Sequence, residues 1–307
     1  MKLSKLQKEI IQLKKSENAV LLVHNYQTID IQEIADYIGD SYELSVKAAQ
    51  IKDVDYIVFC GVDFMAETAS ILNPDKTVLI PDENAKCPMA AMLPASLIRN
   101  AREKHQDAEV MVYVNTWAET KAEADVTCTS SNALKIAKKL QAKTILFGPD
   151  KNLALYVQER VPDKTIIPIP DHGHCYVHSQ FTYEPLERKE EHPDAILMAH
   201  PECTPEVLKR ADFIGSTSQM YNYAKTSNHK KFIVTTEIGL IQRMRRELPG
   251  KIFIMAKPDA VCTQMKMHTL EKIKEVLVNK DKIVKVDNRI AEKARKAILR
   301  MVELTND

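Results

Sequence analysis

Lys76-Thr77-Val78-Leu79-Ile80-Pro81-Asp82 leads to Cys87, and the same arrangement returns twice. Lys164-Thr165-Ile166-Ile167-Pro168-Ile169-Pro170-Asp171 leads to Cys175, and Lys251-Ile252-Phe253-Ile254-Met255-Ala256-Lys257-Pro258-Asp259 leads to Cys262. In each copy an apolar strand follows a lysine, a Pro-Asp pair ends it, and the cysteine stands 11 positions after the lysine. The cysteines are 88 and 87 residues apart. Working upstream, each strand is preceded by a helix that stops at Pro74, Pro162 or Pro249, where proline removes a helical hydrogen bond. Before each helix lies another buried strand: Tyr56–Cys60, Thr144–Gly148 and Phe232–Thr236. Further back stand Ala35-Asp36, Ala124-Asp125 and Ala211-Asp212. The unit opens with the apolar runs that end at His24-Asn25-Tyr26, Tyr113-Val114-Asn115 and His200-Pro201-Glu202.

Landmarks repeated in one order at one period are the mark of a repeat architecture. Short continuous apolar strands alternating with amphipathic helices imply parallel sheets covered on both faces. The expected fold class is therefore α/β: three similar αβα domains with four-stranded parallel sheets, related by pseudo-threefold symmetry around a central site. The expected domains are 1–88, 89–176 and 177–282, with the tail 283–307 ending in a helix that packs back on the first domain.

Composition narrows the function. Lys plus Arg total 43 against 42 for Asp plus Glu, so nothing in the overall charge points to nucleic acid or to a strongly basic partner. The apolar runs are too short to span a bilayer, and Met1–Ile10 reads as a charged amphipathic helix rather than a secretory signal. A cytoplasmic location without membrane or nucleic-acid partners is the expectation. Six cysteines in such a compartment stay reduced, which favours metal binding or catalysis over disulfides for any special role.

In parallel α/β sheets ligands bind beyond the carboxyl ends of the strands, so equivalent loops of three domains can converge on one site. The loop after the fourth strand of each unit offers Cys87, Cys175 and Cys262, three thiolates for a single metal centre. Cys60, Cys128 and Cys203 share no register and read as buried structural cysteines. The loop after the first strand offers His24, Asn25 and Tyr26, then Tyr113 and Asn115, then His200 and Glu202, which are proton-transfer and hydrogen-bonding groups. The loop after the second strand offers Ser41, Thr129, Ser130, Ser216 and Thr217 just ahead of helices. There hydroxyls serve as N-caps, and the helix end attracts carboxylate or phosphate.

With these residues in place, the chain resembles the quinolinate synthetase A family. The resemblance is carried by His24-Asn25-Tyr26-Gln27, Gly39-Asp40-Ser41, Gly61-Val62-Asp63-Phe64-Met65-Ala66-Glu67, Cys87-Pro88-Met89-Ala90, Tyr113-Val114-Asn115, Phe147–Leu153, Gly173-His174-Cys175, Val177-His178, His200-Pro201-Glu202-Cys203, Thr236-Glu237-Ile238-Gly239 and Met265-Lys266. It implies condensation of iminoaspartate with dihydroxyacetone phosphate, with loss of phosphate and water, to give quinolinate for de novo NAD synthesis. It implies a [4Fe–4S] cluster held by Cys87, Cys175 and Cys262, with one iron lacking a protein ligand. It further implies substrate contacts at His24, Tyr26, Ser41, Tyr113, Asn115, Ser130, His178, His200, Glu202, Ser216 and Thr217. Among these, Tyr26 and Glu202, assisted by His24 and His200, are the catalytic candidates. The imine would come from an aspartate oxidase or an aspartate dehydrogenase. Two positions depart from the family pattern: Ser218, where glycine is expected, and Lys86, where a small polar residue is expected. The rival readings are a zinc-dependent lyase or hydrolase acting on a small anionic metabolite, and a non-catalytic metabolite-binding protein.

Overall fold

The computed structural model describes residues 3–306. Strands β1 (Ala19–His24), β2 (Tyr37–Gly39), β3 (Tyr56–Cys60) and β4 (Thr77–Leu79) form a sheet in the order β2-β1-β3-β4. Strands β5 (Glu109–Tyr113), β6 (Val126–Cys128), β7 (Thr144–Gly148) and β8 (Thr165–Pro168) repeat it as β6-β5-β7-β8. Strands β9 (Ile196–Ala199), β10 (Phe213–Ile214), β11 (Lys231–Thr235) and β12 (Ile252–Met255) repeat it again as β10-β9-β11-β12. Every pairing within the sheets is parallel. The chain is α/β with three like four-stranded parallel sheets, as its repeat predicts.

The recurring Ala-Asp landmark has a structural cause. Asp36, Asp125 and Asp212 each accept the backbone N–H of a residue in the first strand of their unit: Leu21 (2.7 Å), Val110 (2.7 Å) and Leu197 (2.8 Å). Each is also paired with a cation on the preceding helix, Lys14, Arg102 or Lys189, at 2.8 Å. Helix, first strand and second strand are thereby tied at one point in every domain.

Burial shows how the domains join. Three outer cores are separate, one on each sheet: around Leu21 and Ile273, around Val110 and Ile98, and around Leu197 and Phe181. The inner faces of all three sheets merge into a single core that includes Phe59, Phe147 and Phe232. Phe147 is completely buried in it. Phe147→Ala should cost ~3–5 kcal/mol, visible as a lowered urea midpoint.

The linkers follow one rule. After Cys87 the helix Ala95–Lys104 covers the second sheet, and after Cys175 the helix Glu184–Glu191 covers the third. The corresponding segment after Cys262, helix Leu270–Asn279, has no fourth sheet to cover. It lies instead on the first, beside helix Lys5–Ser16, and closes a ring of three domains. Segment 283–286 then runs along β4, where Val284 N–H donates to Val78 O (2.9 Å). The final helix, Asn288–Asn306, packs on the first domain only in part, through Arg295 Nε to Ile71 O (2.7 Å). Its buried stripe of Ala294, Ala297, Ile298 and Met301 chiefly covers β6 and the helices Ala118–Lys121 and Ala133–Lys139 of the second domain. Among the described residues, no helix is long and apolar enough to cross a membrane.

Candidate active site

The carboxyl ends of the strands from all three domains open into one cavity of about 730 Å³, mouth included. Cys87, Cys175 and Cys262 all line it, each at the start of a short helical turn after its Pro-Asp loop. The other cysteines, Cys60, Cys128 and Cys203, are fully buried within the cores. Burial, with a smaller contribution from Cys262, raises the Cys87 thiol to about 12. Cys175 is likewise raised, by burial and then by Glu202 and Cys262. Cys262 thus raises both of the other two thiols, and none of the three is in a disulfide.

Of the other sequence candidates, His24, Tyr26, Ser41, Tyr113, Asn115, Ser130, His178, His200, Glu202 and Thr217 also line the cavity. Ser216 does not. It is the N-cap of helix Thr217–Thr226, accepting from Gln219 N, and its hydroxyl donates to Asp40 Oδ2 (2.7 Å) in the first domain. The expected capping role shifts by position. Asp40 caps helix Ser41–Gln50 by accepting from Tyr42 N and Glu43 N, which frees Ser41, while Ser216 caps its own helix and frees Thr217. Asn25 is also turned away from the cavity, donating to Thr217 Oγ1 (2.9 Å) across the first and third domains. Ser218 bonds Glu43 and the Asp40 N–H, so the departure from glycine adds a contact between those domains. Lys86 lies beside a separate surface pocket with Glu83 and Glu119.

The proton-transfer groups form a connected set. His178 Nδ1 lies 2.6 Å from Glu202 Oε2, and the His178 and His200 rings stack at 4.2 Å. His178 Nε2 is 2.9 Å from Thr236 Oγ1, which is 2.8 Å from the Tyr26 hydroxyl. Thr236 is fully buried and is the member that sequence reasoning missed, although it sits in the quoted Thr236-Glu237 motif. The backbone N–H of Tyr26 donates to His24 Nδ1 (3.2 Å), and that of Glu202 donates to His200 Nδ1 (3.3 Å). Both imidazoles thus carry their proton on Nε2 when neutral. Burial lowers each to about 3; Lys266 adds to the effect at His24, and His178 at His200. Burial pushes Glu202 up, but His200 and His178 outweigh it and hold the carboxyl low. Tyr26 and Tyr113 are raised well above the ordinary phenol, first by burial and then by the charge of Glu202.

These shifts make a stability prediction. His24 and His200 titrate near 6.5 when unfolded and near 3 when folded, so the unfolded chain binds more protons between those values. Their contribution to stability is complete above about pH 6.5 and is lost as pH falls toward 3. The loss is on the order of 1 kcal/mol per pH unit for each ring. Urea titrations of the metal-free chain should show it, and His200→Gln should make the acid slope shallower.

The donor chemistry fits a thiophilic metal centre. Cys175 Sγ, a His178 nitrogen and a Glu202 oxygen lie within 4.8 Å of one another, a possible ligand set of a different kind. In that set both nitrogens of His178 already have polar partners, Glu202 and Thr236. Among the three cysteines only the Cys262 sulfur has a side-chain partner, donating to Gln264 Oε1 over a long 3.9 Å. Asn115 Oδ1 and Glu202 Oε1 are buried without a partner, groups that a ligand in the cavity would satisfy.

Comparison with known proteins identifies the family. The family model described as NadA, Quinolinate synthetase A protein, matches residues 8–303. The chain is 51% identical over 304 residues to the quinolinate synthase of Methanothermobacter thermautotrophicus, covering 99% of each chain. It is 53% identical to that of Pyrococcus furiosus, again covering 99% of both. The quinolinate synthase of Alkaliphilus metalliredigens is 44% identical, with 96% of this chain and 97% of the relative covered. Three cysteines, one from each repeat and all facing one cavity, therefore stand in a chain that belongs to the quinolinate synthetase A family.

Proposed function

We infer that the chain is a quinolinate synthase. It joins iminoaspartate to dihydroxyacetone phosphate and releases phosphate and two waters to yield quinolinate for NAD synthesis. The observation that carries this reading is the convergence of Cys87, Cys175 and Cys262 with the His178–Glu202 pair on one cavity. Cys87, Cys175 and Cys262 would hold a [4Fe–4S] cluster with one iron free of protein ligands. When bound, it supplies a Lewis acid that polarises substrate oxygens for loss of water.

The chain's own residues do the rest. Ser41 and Thr217 present hydroxyls at helix starts, where carboxylate and phosphate are favoured without any cationic side chain, and Ser130 adds one from the turn before helix Ala133–Lys139. His24 and His200, kept neutral, donate from Nε2 to substrate oxygens, and Asn115 Oδ1 accepts from a substrate N–H or O–H. Glu202 is the ionised base, and a proton passes between it and Tyr26 through His178 and Thr236. The enzyme works in the cytoplasm, with its imine supplied by an aspartate oxidase or an aspartate dehydrogenase.

Incubating the anaerobically reconstituted chain with iminoaspartate and dihydroxyacetone phosphate should produce quinolinate, measured chromatographically. A fully iron-loaded chain that makes none would contradict the reading.

A further inference from the structure

The three cysteine loops are held by one device, repeated in every domain. The carboxylate of Asp63 accepts the backbone N–H of Cys87 (3.2 Å), that of Asp150 accepts the N–H of Cys175 (3.0 Å), and that of Glu237 accepts the N–H of Cys262 (3.3 Å). A second bond completes the clamp, running from the helix start to the carbonyl two residues before each cysteine. Asp63 N donates to Ala85 O (2.9 Å), Lys151 N to Gly173 O (2.8 Å) and Ile238 N to Ala260 O (3.1 Å).

The backbone bond keeps its register in all three domains, but the carboxylate does not. In the second and third domains the acid is the N-cap residue, Asp150 or Glu237, whereas in the first the N-cap is Val62 and the acid stands one place later. A different residue position therefore delivers the same bond to the same cysteine N–H. Preservation of the bond, rather than of the position, argues that the bond is what matters. In the second domain the clamp closes so tightly that a Cβ on Gly148 would meet Ile169 O, and one on Gly173 would meet Pro149 O, each at 1.9 Å.

Each clamp also reaches the next domain in the ring. Trp117 Nε1 donates to Asp63 Oδ2 (2.8 Å), linking the first domain to the second. Asn152, on the helix capped by Asp150, donates to Glu202 O (3.0 Å), linking the second to the third. Lys266 pairs with Glu237 (2.9 Å) and donates to Tyr26 O, linking the third back to the first. The three cysteine loops are thus fixed within their own domains and against one another.

We propose that Asp63, Asp150 and Glu237 are positioning residues that hold the three thiols at the spacing a shared metal centre requires. This rests on the reading that Cys87, Cys175 and Cys262 bind that centre together. Replacing a carboxylate by its amide keeps size and one acceptor oxygen, but sets an N–H donor where the second acceptor stood. In Asp150→Asn the retained oxygen can still cap the helix through Leu153 N, so the loss falls on the Cys175 N–H.

The test uses the full chain reconstituted anaerobically with iron and sulfide, carrying Asp63→Asn, Asp150→Asn or Glu237→Gln. Iron and sulfide per chain, the visible absorption and the rate of iron loss to a chelator are measured, and the metal-free variants are melted alongside. Iron loss should be ~10–100-fold faster than in the parent, the usual range for groups that orient metal ligands. Asp125→Asn is the control, because Asp125 holds a strand N–H in the same manner but touches no cysteine. It should lower the melting temperature and leave iron loss unchanged. Should one variant fail to fold, the other two carry the same expectation. Parent-like iron retention in the folded variants, or equal acceleration by Asp125→Asn, overturns the proposal. A parent chain that takes up no iron at all overturns the shared-centre reading, and this inference falls with it.

Discussion

Replacing Cys175 with alanine is expected to leave a folded chain that retains no iron–sulfur centre and forms no quinolinate. Cys175 is partly exposed to the cavity rather than sealed in a core, so removing its sulfur opens little new void. The fold should survive, with a melting temperature for the metal-free chain close to that of the parent. The metal centre should not survive. Each domain contributes one thiol, and no fourth cysteine lines the cavity to substitute, since Cys60, Cys128 and Cys203 are fully buried elsewhere. Iron and sulfide analysis, visible absorption and product formation read the three consequences. Quinolinate made at the parent rate by a cluster-free Cys175→Ala would refute the assignment of this cysteine.

The second large effect is expected at Tyr26, and it separates proton transfer from metal binding. Tyr26→Phe removes one hydroxyl that lies 2.8 Å from Thr236 Oγ1 and 3.4 Å from His178 Nε2. Its ring, packed edge-on to His24 at 4.6 Å, would remain. The phenol is neutral throughout the working pH range because burial and Glu202 raise its pKa, so its role is to pass a proton rather than to carry charge. Iron content should be unchanged while kcat falls ~10²–10⁴-fold, the usual worth of a placed acid or base. KM should move little. Parent turnover in Tyr26→Phe would remove this hydroxyl from the mechanism.

Much of the fold could be read because one unit is written three times. A single strand such as Lys76–Asp82 is ambiguous, but three copies in register fix strand order, connection and the loops that meet. The cysteines were legible for the same reason: only Cys87, Cys175 and Cys262 keep the period. What escaped was whatever breaks the period or depends on closure. Helix Leu270–Asn279 looks like the end of the third unit and turns to the first domain only because a ring of three has no fourth sheet. Asp63 is offset by one from Asp150 and Glu237, so the shared clamp is invisible until the backbone bonds are seen. Thr236 has no counterpart among the quoted first-strand loops, and a threonine at a strand end carries no chemical signal of its own. Ser216 and Thr217 look equivalent in the sequence because both precede a helix, yet capping geometry assigns them opposite directions.

The whole account depends on three sulfurs from three domains sharing one centre. Anomalous diffraction at the iron edge, from crystals grown and frozen without oxygen, tests this most directly. A single compact iron peak in contact with Cys87, Cys175 and Cys262 is the predicted result. Iron bound instead by Cys175, His178 and Glu202, or by fewer than all three cysteines, would contradict it.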